Sequence, residues 1–227
     1  NNLKEIVGAL DLESIIKSDL PPKFEYIWKM VNAGIQEQKL QQSKIDPETG
    51  KNILANFKKR AFLLSEIARV CEAKNIAEVG TAQAWQTLSF AQGLFERNAE
   101  GEEVGKVYTC DIRDVRNTIV WNKLSEFCSF TNGTSRDMVK TIGNEKIDVF
   151  YIDGSHDQYA VFQDVLALKE VQSENCLWIF DDFDDRFGAA VDMASLMKIP
   201  GLDNAVFDMG ATASGQPNHL LLLMGRI

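Results

Sequence analysis

Three aspartates stand directly after two apolar runs, a pattern that places ionisable groups at one edge of a sheet. Asp153 follows the run Val149–Ile152, and Asp181 and Asp182 follow the run Leu177–Phe180. The carboxyl ends of neighbouring parallel strands meet at the same edge, so these carboxylates are expected to lie close together. They would repel one another unless they share a cation or take up protons. A divalent metal is the favoured solution, and oxygen ligands favour Mg²⁺, with Mn²⁺ or Ca²⁺ as alternatives.

The elements that must position these groups follow from an alternation of short apolar runs and amphipathic stretches. The runs that predict parallel strands are Ile76–Val79, Val107–Cys110, Ser129–Thr131, Val149–Ile152 and Leu177–Phe180. The stretches that predict helices between several of them are Ala84–Arg97, Val115–Phe127 and Tyr159–Val171. Strands that alternate with helices indicate an α/β protein with a parallel sheet covered on both faces.

The last part of the chain has a different pattern. Two apolar runs, Ala205–Met209 and His219–Met224, are separated by the Gly-, Ser- and Pro-rich segment Gly210–Asn218 with no helical stretch between them. Such a pair predicts an antiparallel hairpin at the edge of the sheet.

The beginning of the chain predicts helices. Residues 3–44 have apolar residues at helical spacing, broken at Pro21-Pro22, and a further helix is expected over Ile53–Ala73. The polar residues 36–44 and the turn signal Asp46–Gly50 predict a flexible connection. We therefore expect a helical N-terminal extension over residues 1–50 and one main domain over residues 51–227.

Composition excludes several classes of partner. The chain has 33 acidic and 24 basic residues and a net charge of −9, which disfavours binding to nucleic acid. Its four cysteines show no CxxC spacing and are expected to be reduced, and no apolar segment is long enough to span a bilayer. A cytoplasmic protein is expected. The first residues lack an initiator Met and a signal peptide, which fits a chain trimmed or taken from a longer one.

Two strand ends carry features suited to a nucleoside. Gly80 follows the first strand, where a glycine lets the backbone turn tightly and approach a ligand. Asp111 ends the second strand, where its carboxylate could accept hydrogen bonds from both hydroxyls of a ribose. An NAD site is disfavoured because the loop after the first strand has one glycine instead of G-x-G-x-x-G. The plain alternatives are a strand-to-helix turn at Gly80 and a helix cap at Asp111.

Two segments carry a resemblance to a known family. Glu78 to Ala84 resembles the E-x-G-x-x-x-G loop of the class I S-adenosylmethionine (SAM) dependent methyltransferases, with Ala84 in place of the second glycine. Residues 152–159 resemble the I-D-G-x-H-x-Y signature of the catechol O-methyltransferase-like and antibiotic-modifying enzymes, with Tyr159 one position later than in the signature. The resemblance implies a Rossmann-like, seven-stranded and mostly parallel sheet with a C-terminal antiparallel hairpin, helices on both faces and an N-terminal helical lid.

The same resemblance implies roles for individual residues. The expected contacts to SAM are Glu78, Gly80, Thr81, Ala82, Asp111, Ile112, Thr134, Ser135 and Asp153. The expected metal ligands are Asp153, Asp181 and Asp182, although catechol-type enzymes usually carry Asn at the last of these positions. The alternatives are an ordinary turn at Thr134-Ser135 and a solvated acidic loop at Asp181 and Asp182.

His156 is expected to be catalytic together with Asp153. It occupies the position of the catalytic lysine of the catechol-type relatives, so its side chain should reach the acceptor oxygen. Its ordinary pKa of roughly 6.5 leaves it largely able to accept a proton at pH 7. The alternative is that His156 hydrogen-bonds a neighbouring loop or packs over adenine.

The expected function is therefore metal-dependent O-methylation of a small hydroxylated acceptor, as in natural-product biosynthesis. Residues 1–50 and 183–218 are expected to select the acceptor, because loops and lids set specificity in such folds. Two alternatives stay open: a metal-independent SAM methyltransferase, and a catalytically silent binding module with the same fold. Assembly into a homo-oligomer also stays open.

Overall fold

A computed structural model describes residues 2–10, 47–99, 105–211 and 216–227 of the 227-residue chain. Its strands are β1 (Asn75–Val79), β2 (Lys106–Asp111), β3 (Cys128–Asn132), β4 (Ile147–Ile152), β5 (Gln172–Phe180), β6 (Asp203–Ala211) and β7 (Pro217–Met224). Its helices are α1 (Leu3–Ala9), α2 (Pro47–Val70), α3 (Trp85–Ala99), α4 (Thr118–Leu124), α5 (Ser135–Ile142), α6 (Ala160–Leu168) and α7 (Ala189–Leu196), with a short 3₁₀ helix over Lys169–Val171.

The strands form one seven-stranded sheet in the order β3-β2-β1-β4-β5-β7-β6. The first five strands of the chain run parallel to one another, while β7 is antiparallel to both β5 and β6. Every predicted strand lies within an observed one, and the predicted edge hairpin is confirmed. The order of the strands reverses between β1 and β4, which is where an open α/β sheet binds its ligand.

Hydrophobic side chains cover both faces of the sheet and form two clusters. One cluster joins the sheet to α1, α2 and α3, with Phe62, Leu64 and Phe90 fully buried. The other joins it to α5, α6 and α7, with Trp178 stacked on Phe150 at a ring distance of 3.9 Å. Because the central strands β1, β4 and β5 are buried on two faces near the site, the sheet is a rigid base for the loops at its carboxyl edge.

Two sequence-based predictions need correction. The segment Asp46–Gly50 was expected to be a turn, but α2 already begins at Pro47. Proline fits the first turn of a helix because its fixed φ is helical and its missing N–H would have no partner there. Helix α5 was not predicted, since Thr134 and Ser135 were interpreted as an ordinary turn or as ligand contacts. The predicted break at Pro21-Pro22 and the polar residues 36–44 lie outside the described residues.

Within the described ranges, no helix combines the length and the apolar character needed to cross a membrane.

Candidate active site

The carboxyl ends of the central strands are joined to one another by backbone hydrogen bonds. The amide of Gly80 donates to the carbonyl of Cys110 at 2.9 Å, and the amide of Asp153 donates to the carbonyl of Val79 at 2.9 Å. The amide of Asp181 donates to the carbonyl of Ile152 at 3.0 Å. These bonds continue the sheet by one residue past the strands, so the predicted site residues project from a fixed edge.

Gly80 is required where β1 approaches β4. Its φ is +95°, and a Cβ at this position would lie 2.0 Å from the carbonyl oxygen of Asp153. Ala84 has φ 72° and therefore keeps the left-handed backbone that a glycine would adopt, although it carries a side chain. The amide of Ala84 closes the loop by donating to the carbonyl of Thr81 at 2.7 Å. The loop thus has the glycine-type geometry despite the substitution.

A cavity of about 550 Å³ lies over this edge of the sheet. Seven of the residues predicted to contact the cofactor line it: Gly80, Ala82, Asp111, Ile112, Thr134, Ser135 and Asp153. Sequence reasoning missed other lining residues, including Gln86, Arg113, Gln163 and Asp164. Two residues predicted as contacts, Glu78 and Thr81, do not line the cavity. A volume of this size suits a small-molecule ligand.

Asp111 faces the cavity from the end of β2. Its Oδ2 accepts a hydrogen bond from the Ala82 amide at 2.9 Å, and its Oδ1 accepts one from the Arg113 amide at 3.0 Å. A carboxylate has about four acceptor positions, so these two bonds orient the group and leave capacity for further donors. The side chain is therefore held where it can accept two hydroxyls.

Thr134 and Ser135 begin α5 at the far end of the cavity. The Thr134 amide and hydroxyl both donate to Oδ2 of Asp137, at 3.1 and 2.9 Å. Ser135 hydrogen-bonds the carboxyl of Asp164 on α6, whose pKa is raised because burial outweighs this bond. Asp164 follows Ala160 by one helical turn and faces the same cavity, which is the spacing that could have identified it.

Glu78 points into the protein below the loop. It is fully buried, and its Oε2 accepts hydrogen bonds from the hydroxyls of Thr87 and, at 2.6 Å, Thr109. The Thr81 hydroxyl joins the same network through Thr109 at 2.5 Å. Burial raises the pKa of Glu78 to about 8, so the group is largely protonated at neutral pH. Glu78 and Thr81 thus support the loop from beneath.

Glu78→Gln is expected to reduce the pH dependence of folding stability. The pKa of Glu78 is about 8 in the folded chain, against a usual value of 4.5, so the folded state keeps a proton that the unfolded state loses. The stabilisation is complete below pH 4.5 and is lost as the pH rises to 8, by up to about 4 kcal/mol. Urea unfolding at several pH values measures how the free energy of unfolding depends on pH. The exposed Glu126→Gln is the control. If the free energy of unfolding changed with pH equally in the parent, Glu78→Gln and Glu126→Gln, the expectation would be contradicted.

The second half of the site contains Asp153, His156 and Asp182. His156 Nε2 lies 3.1 Å from Oδ2 of Asp182 and 3.8 Å from Oδ1 of Asp153. Each of the three residues offers one ligand atom, and these atoms lie within 4.8 Å of one another. His156 and Asp153 also line the cavity that Asp111 lines.

Asp181, the third predicted metal ligand, faces a different set of partners. Its Oδ2 lies 2.6 Å from Nη1 of Arg60 and accepts a hydrogen bond from the Tyr151 hydroxyl at 2.5 Å. Its Oδ1 accepts the Asp182 amide at 2.8 Å. The structure therefore brings Asp181 to the site but turns its carboxylate toward α2 and β4.

Crowding of acidic groups shifts the pKa values of the site. Burial, followed by the charge of Asp181, raises the pKa of Asp153 to about 7. Burial and Asp181 also raise the pKa of Asp182. Contact with the Asp153 carboxyl raises the pKa of His156. The site can thus exchange protons near neutral pH, a property common in functional sites.

Arg60 is the functional candidate that sequence reasoning missed. It lies on α2, and its side chain is only 15% exposed. A signal was present in the sequence: Arg60 precedes Leu64 by four residues and Ile67 by seven, which places it on the apolar face of the predicted helix. A charged residue at such a position needs a buried partner.

The strand order, the glycine turn after β1 and the acidic residues after β2 and β4 define a class I SAM-dependent methyltransferase fold. A family model described as "Methyltransferase domain" matches residues 77–183. No curated protein matches the sequence.

Solved structures with the same fold share little sequence with this chain. An O-methyltransferase from Bacillus cereus in complex with SAH is 17% identical, covers 96% of this chain and 99% of its own, and has a TM-score of 0.61. The O-methyltransferase TomG from Streptomyces achromogenes, in complex with SAM, is 15% identical over 80% of this chain and 91% of its own, with a TM-score of 0.59. A methyltransferase from Podospora anserina, bound to SAH, is 16% identical over 92% and 89%, with a TM-score of 0.58.

Proposed function

We propose that this protein transfers a methyl group from SAM to a hydroxyl oxygen of a small acceptor. The observation that carries the proposal is that one cavity is lined by Asp111 at one end and by Asp153 and His156 at the other. A nucleoside bound at the first end would leave its reactive methyl group near the second. O-methylation is also the activity named for the similar proteins from Bacillus cereus and Streptomyces achromogenes, the latter in tomaymycin synthesis.

The adenosine of SAM would lie along three parts of the cavity. Gly80 lets the backbone come close to the ligand, and the Asp111 carboxylate accepts the two ribose hydroxyls. Thr134 and Ser135 stand where adenine would bind, next to the buried Asp164. The exposed side chain of Ile112, 70% accessible, offers an apolar surface to the base.

Asp111→Ala is expected to weaken SAM binding by about ten- to more than a hundredfold. The variant loses hydrogen bonds to a charged acceptor, each contributing on the order of 1.5–3 kcal/mol. It also releases the Ala82 amide that Asp111 holds at 2.9 Å. Calorimetric titration with SAM measures the loss. Asp114→Ala is the matched control, because Asp114 pairs with Arg116 at 2.7 Å outside the cavity lining. If Asp111→Ala bound SAM as tightly as the parent, the ribose would not bind at Asp111.

His156 would remove the proton of the acceptor hydroxyl. In the transfer step the acceptor oxygen forms a bond to the methyl carbon while the bond from that carbon to the sulfonium sulfur breaks. The hydroxyl proton passes to the imidazole, and S-adenosylhomocysteine leaves. Asp153 and Asp182 contact the imidazole and stabilise its protonated form. The fixed edge of the sheet aligns the two reactants, which lowers the entropic part of the barrier.

The residues present also fit a divalent metal. Asp153 and Asp182 would hold it, with His156 in reach of the same position, because the ligand atoms of the three lie within 4.8 Å of one another. Carboxylates suit Mg²⁺, Ca²⁺ and Mn²⁺, and an adjacent imidazole makes Mn²⁺ the better probe. When bound, such an ion would lower the pKa of the acceptor hydroxyl and help to orient it.

A metal-independent mechanism is the second candidate, and one observation favours it. Arg60 already supplies a positive charge to Asp181, and His156 already lies between the carboxylates of Asp153 and Asp182. The acidic groups are thus partly compensated by the chain itself.

A methyl-transfer assay tests both candidates. Labelled SAM is incubated with a panel of small hydroxylated molecules, first with Mg²⁺ or Mn²⁺ and then with a chelator. Transfer that the chelator abolishes supports the metal-dependent mechanism, whereas transfer that survives it supports the second candidate. A protein that binds SAM but methylates nothing, or that gives no heat with SAM, would instead be a silent module.

A further inference from the structure

Arg60 and Asp181 form an ion pair beside the group of Asp153, His156 and Asp182. The pair joins α2 to the end of β5, and the Asp181 side chain is 1% exposed. Both oxygens of this carboxylate are engaged: Oδ2 by Arg60 and Tyr151, and Oδ1 by the Asp182 amide. These three contacts leave Asp181 with one free acceptor position, on Oδ1, and the carboxylate is not part of the group of ligand atoms that Asp153, His156 and Asp182 bring within 4.8 Å of one another.

We propose that Arg60 is a positioning residue that withdraws Asp181 from the metal site, so that, of the three clustered aspartates, Asp153 and Asp182 supply the carboxylate ligands. The inference rests on the proposed metal site and departs from the three-carboxylate set expected from sequence. It also gives the Arg60 side chain a role that no motif indicated.

The charges of the cluster agree with this assignment. Asp153, Asp181 and Asp182 together carry three negative charges when ionised, and the Arg60 guanidinium neutralises one of them. The remaining pair of carboxylates matches the charge of one divalent ion. Arginine suits this task because its guanidinium stays protonated and presents several donors in a fixed geometry.

Asp181 still affects the metal site because it positions Asp182. Its Oδ1 accepts the amide of Asp182, whose φ of 52° is uncommon for a residue other than glycine. This bond orients the Asp182 backbone so that its carboxylate approaches His156 at 3.1 Å. Arg60 fixes Asp181, and Asp181 in turn fixes Asp182.

A double-mutant cycle with Mn²⁺ as the probe tests the inference. Binding is measured by electron paramagnetic resonance without SAM or acceptor, in the parent, Arg60→Met, Asp181→Asn and the double variant. Asp181→Asn is expected to weaken Mn²⁺ binding at least tenfold, because it leaves the Arg60 charge unpaired beside the ion. Arg60→Met is expected to bind at least as tightly as the parent. The double variant removes both charges and is expected to return to within about threefold of the parent.

Two controls separate binding from folding. Arg69→Met changes a second arginine of α2, one that pairs with Glu66 at 2.7 Å, and should leave Mn²⁺ binding unchanged. If the double variant does not fold, as judged by its thermal unfolding, Arg60→Gln with Asp181→Asn takes its place, because two amides can hydrogen-bond where the ion pair stood.

The contrary outcomes are distinct. A double variant as weak as Asp181→Asn would show that Asp181 is a ligand, which overturns the inference and leaves the proposed function intact. Arg60→Met weaker than the parent by tenfold or more would also overturn it. No Mn²⁺ binding by the folded parent would overturn both the inference and the metal-dependent mechanism, while SAM titration of the same sample reports separately on methyltransferase function.

Discussion

His156→Gln is expected to lower the maximal rate of methyl transfer by about 10²–10⁴-fold while the affinity for SAM changes little. Glutamine keeps the size and hydrogen-bonding capacity of the side chain but cannot take up the acceptor proton. The imidazole is well placed for this role, since it is 41% exposed, lines the cavity and lies 3.1 Å from Asp182. Steady-state kinetics at saturating SAM, with SAM affinity from calorimetry, measure the two effects separately.

The chain offers a matched control for this variant. His219 is the other of the two histidines, lies in β7 and does not line the cavity. His219→Gln should therefore leave the rate within about twofold of the parent.

The pH profile adds a readout that a structural role would not change. Contact with Asp153 raises the pKa of His156. The rate of the parent should therefore rise with pH, with an apparent pKa above the usual 6.5 of histidine. His156→Gln should lose this acid limb. A rate that survives within a few-fold, with the acid limb unmoved, would show that His156 is not the base.

Asp153→Asn is expected to lower the rate by about 10³-fold or more, since charge stabilisation at such a site contributes several kcal/mol. Asparagine preserves the shape of the side chain and the backbone that meets Gly80, so SAM affinity should stay within a few-fold. Asp157→Asn is the control, because Asp157 contacts Ser155 in the same loop and does not line the cavity. Equal losses of rate and SAM affinity would instead make Asp153 a cofactor or structural residue.

The positions of the site residues along the strands could be predicted from sequence because they follow a geometric rule. Gly80, Asp111 and Asp153 each follow an apolar run, and residues after parallel strands meet at one edge of the sheet. The structure brings these three to one cavity. The terminal hairpin was predictable for a similar reason, since no helix separates its two apolar runs.

The direction of individual side chains could not be predicted in the same way. Strand β1 is buried on both faces, so its sequence shows no alternation that tells which side Glu78 occupies. The pairing of Asp181 with Arg60 depends on how α2 packs against the sheet, which no local pattern specifies. Helix α5 was not predicted because Thr134 and Ser135 also fit a turn, and the hydrogen bonds from Thr134 to Asp137 show in the structure that a helix begins there.

The central claim is that the cavity over Gly80 and Asp111 binds SAM beside the acidic cluster. Isothermal titration of the folded chain with SAM tests it most directly. We expect saturable binding of one SAM per chain, with an affinity that falls by a factor of about ten or more in Asp111→Ala and is unchanged in Asp114→Ala. An absence of saturable binding, or equal binding by Asp111→Ala and the parent, would contradict it.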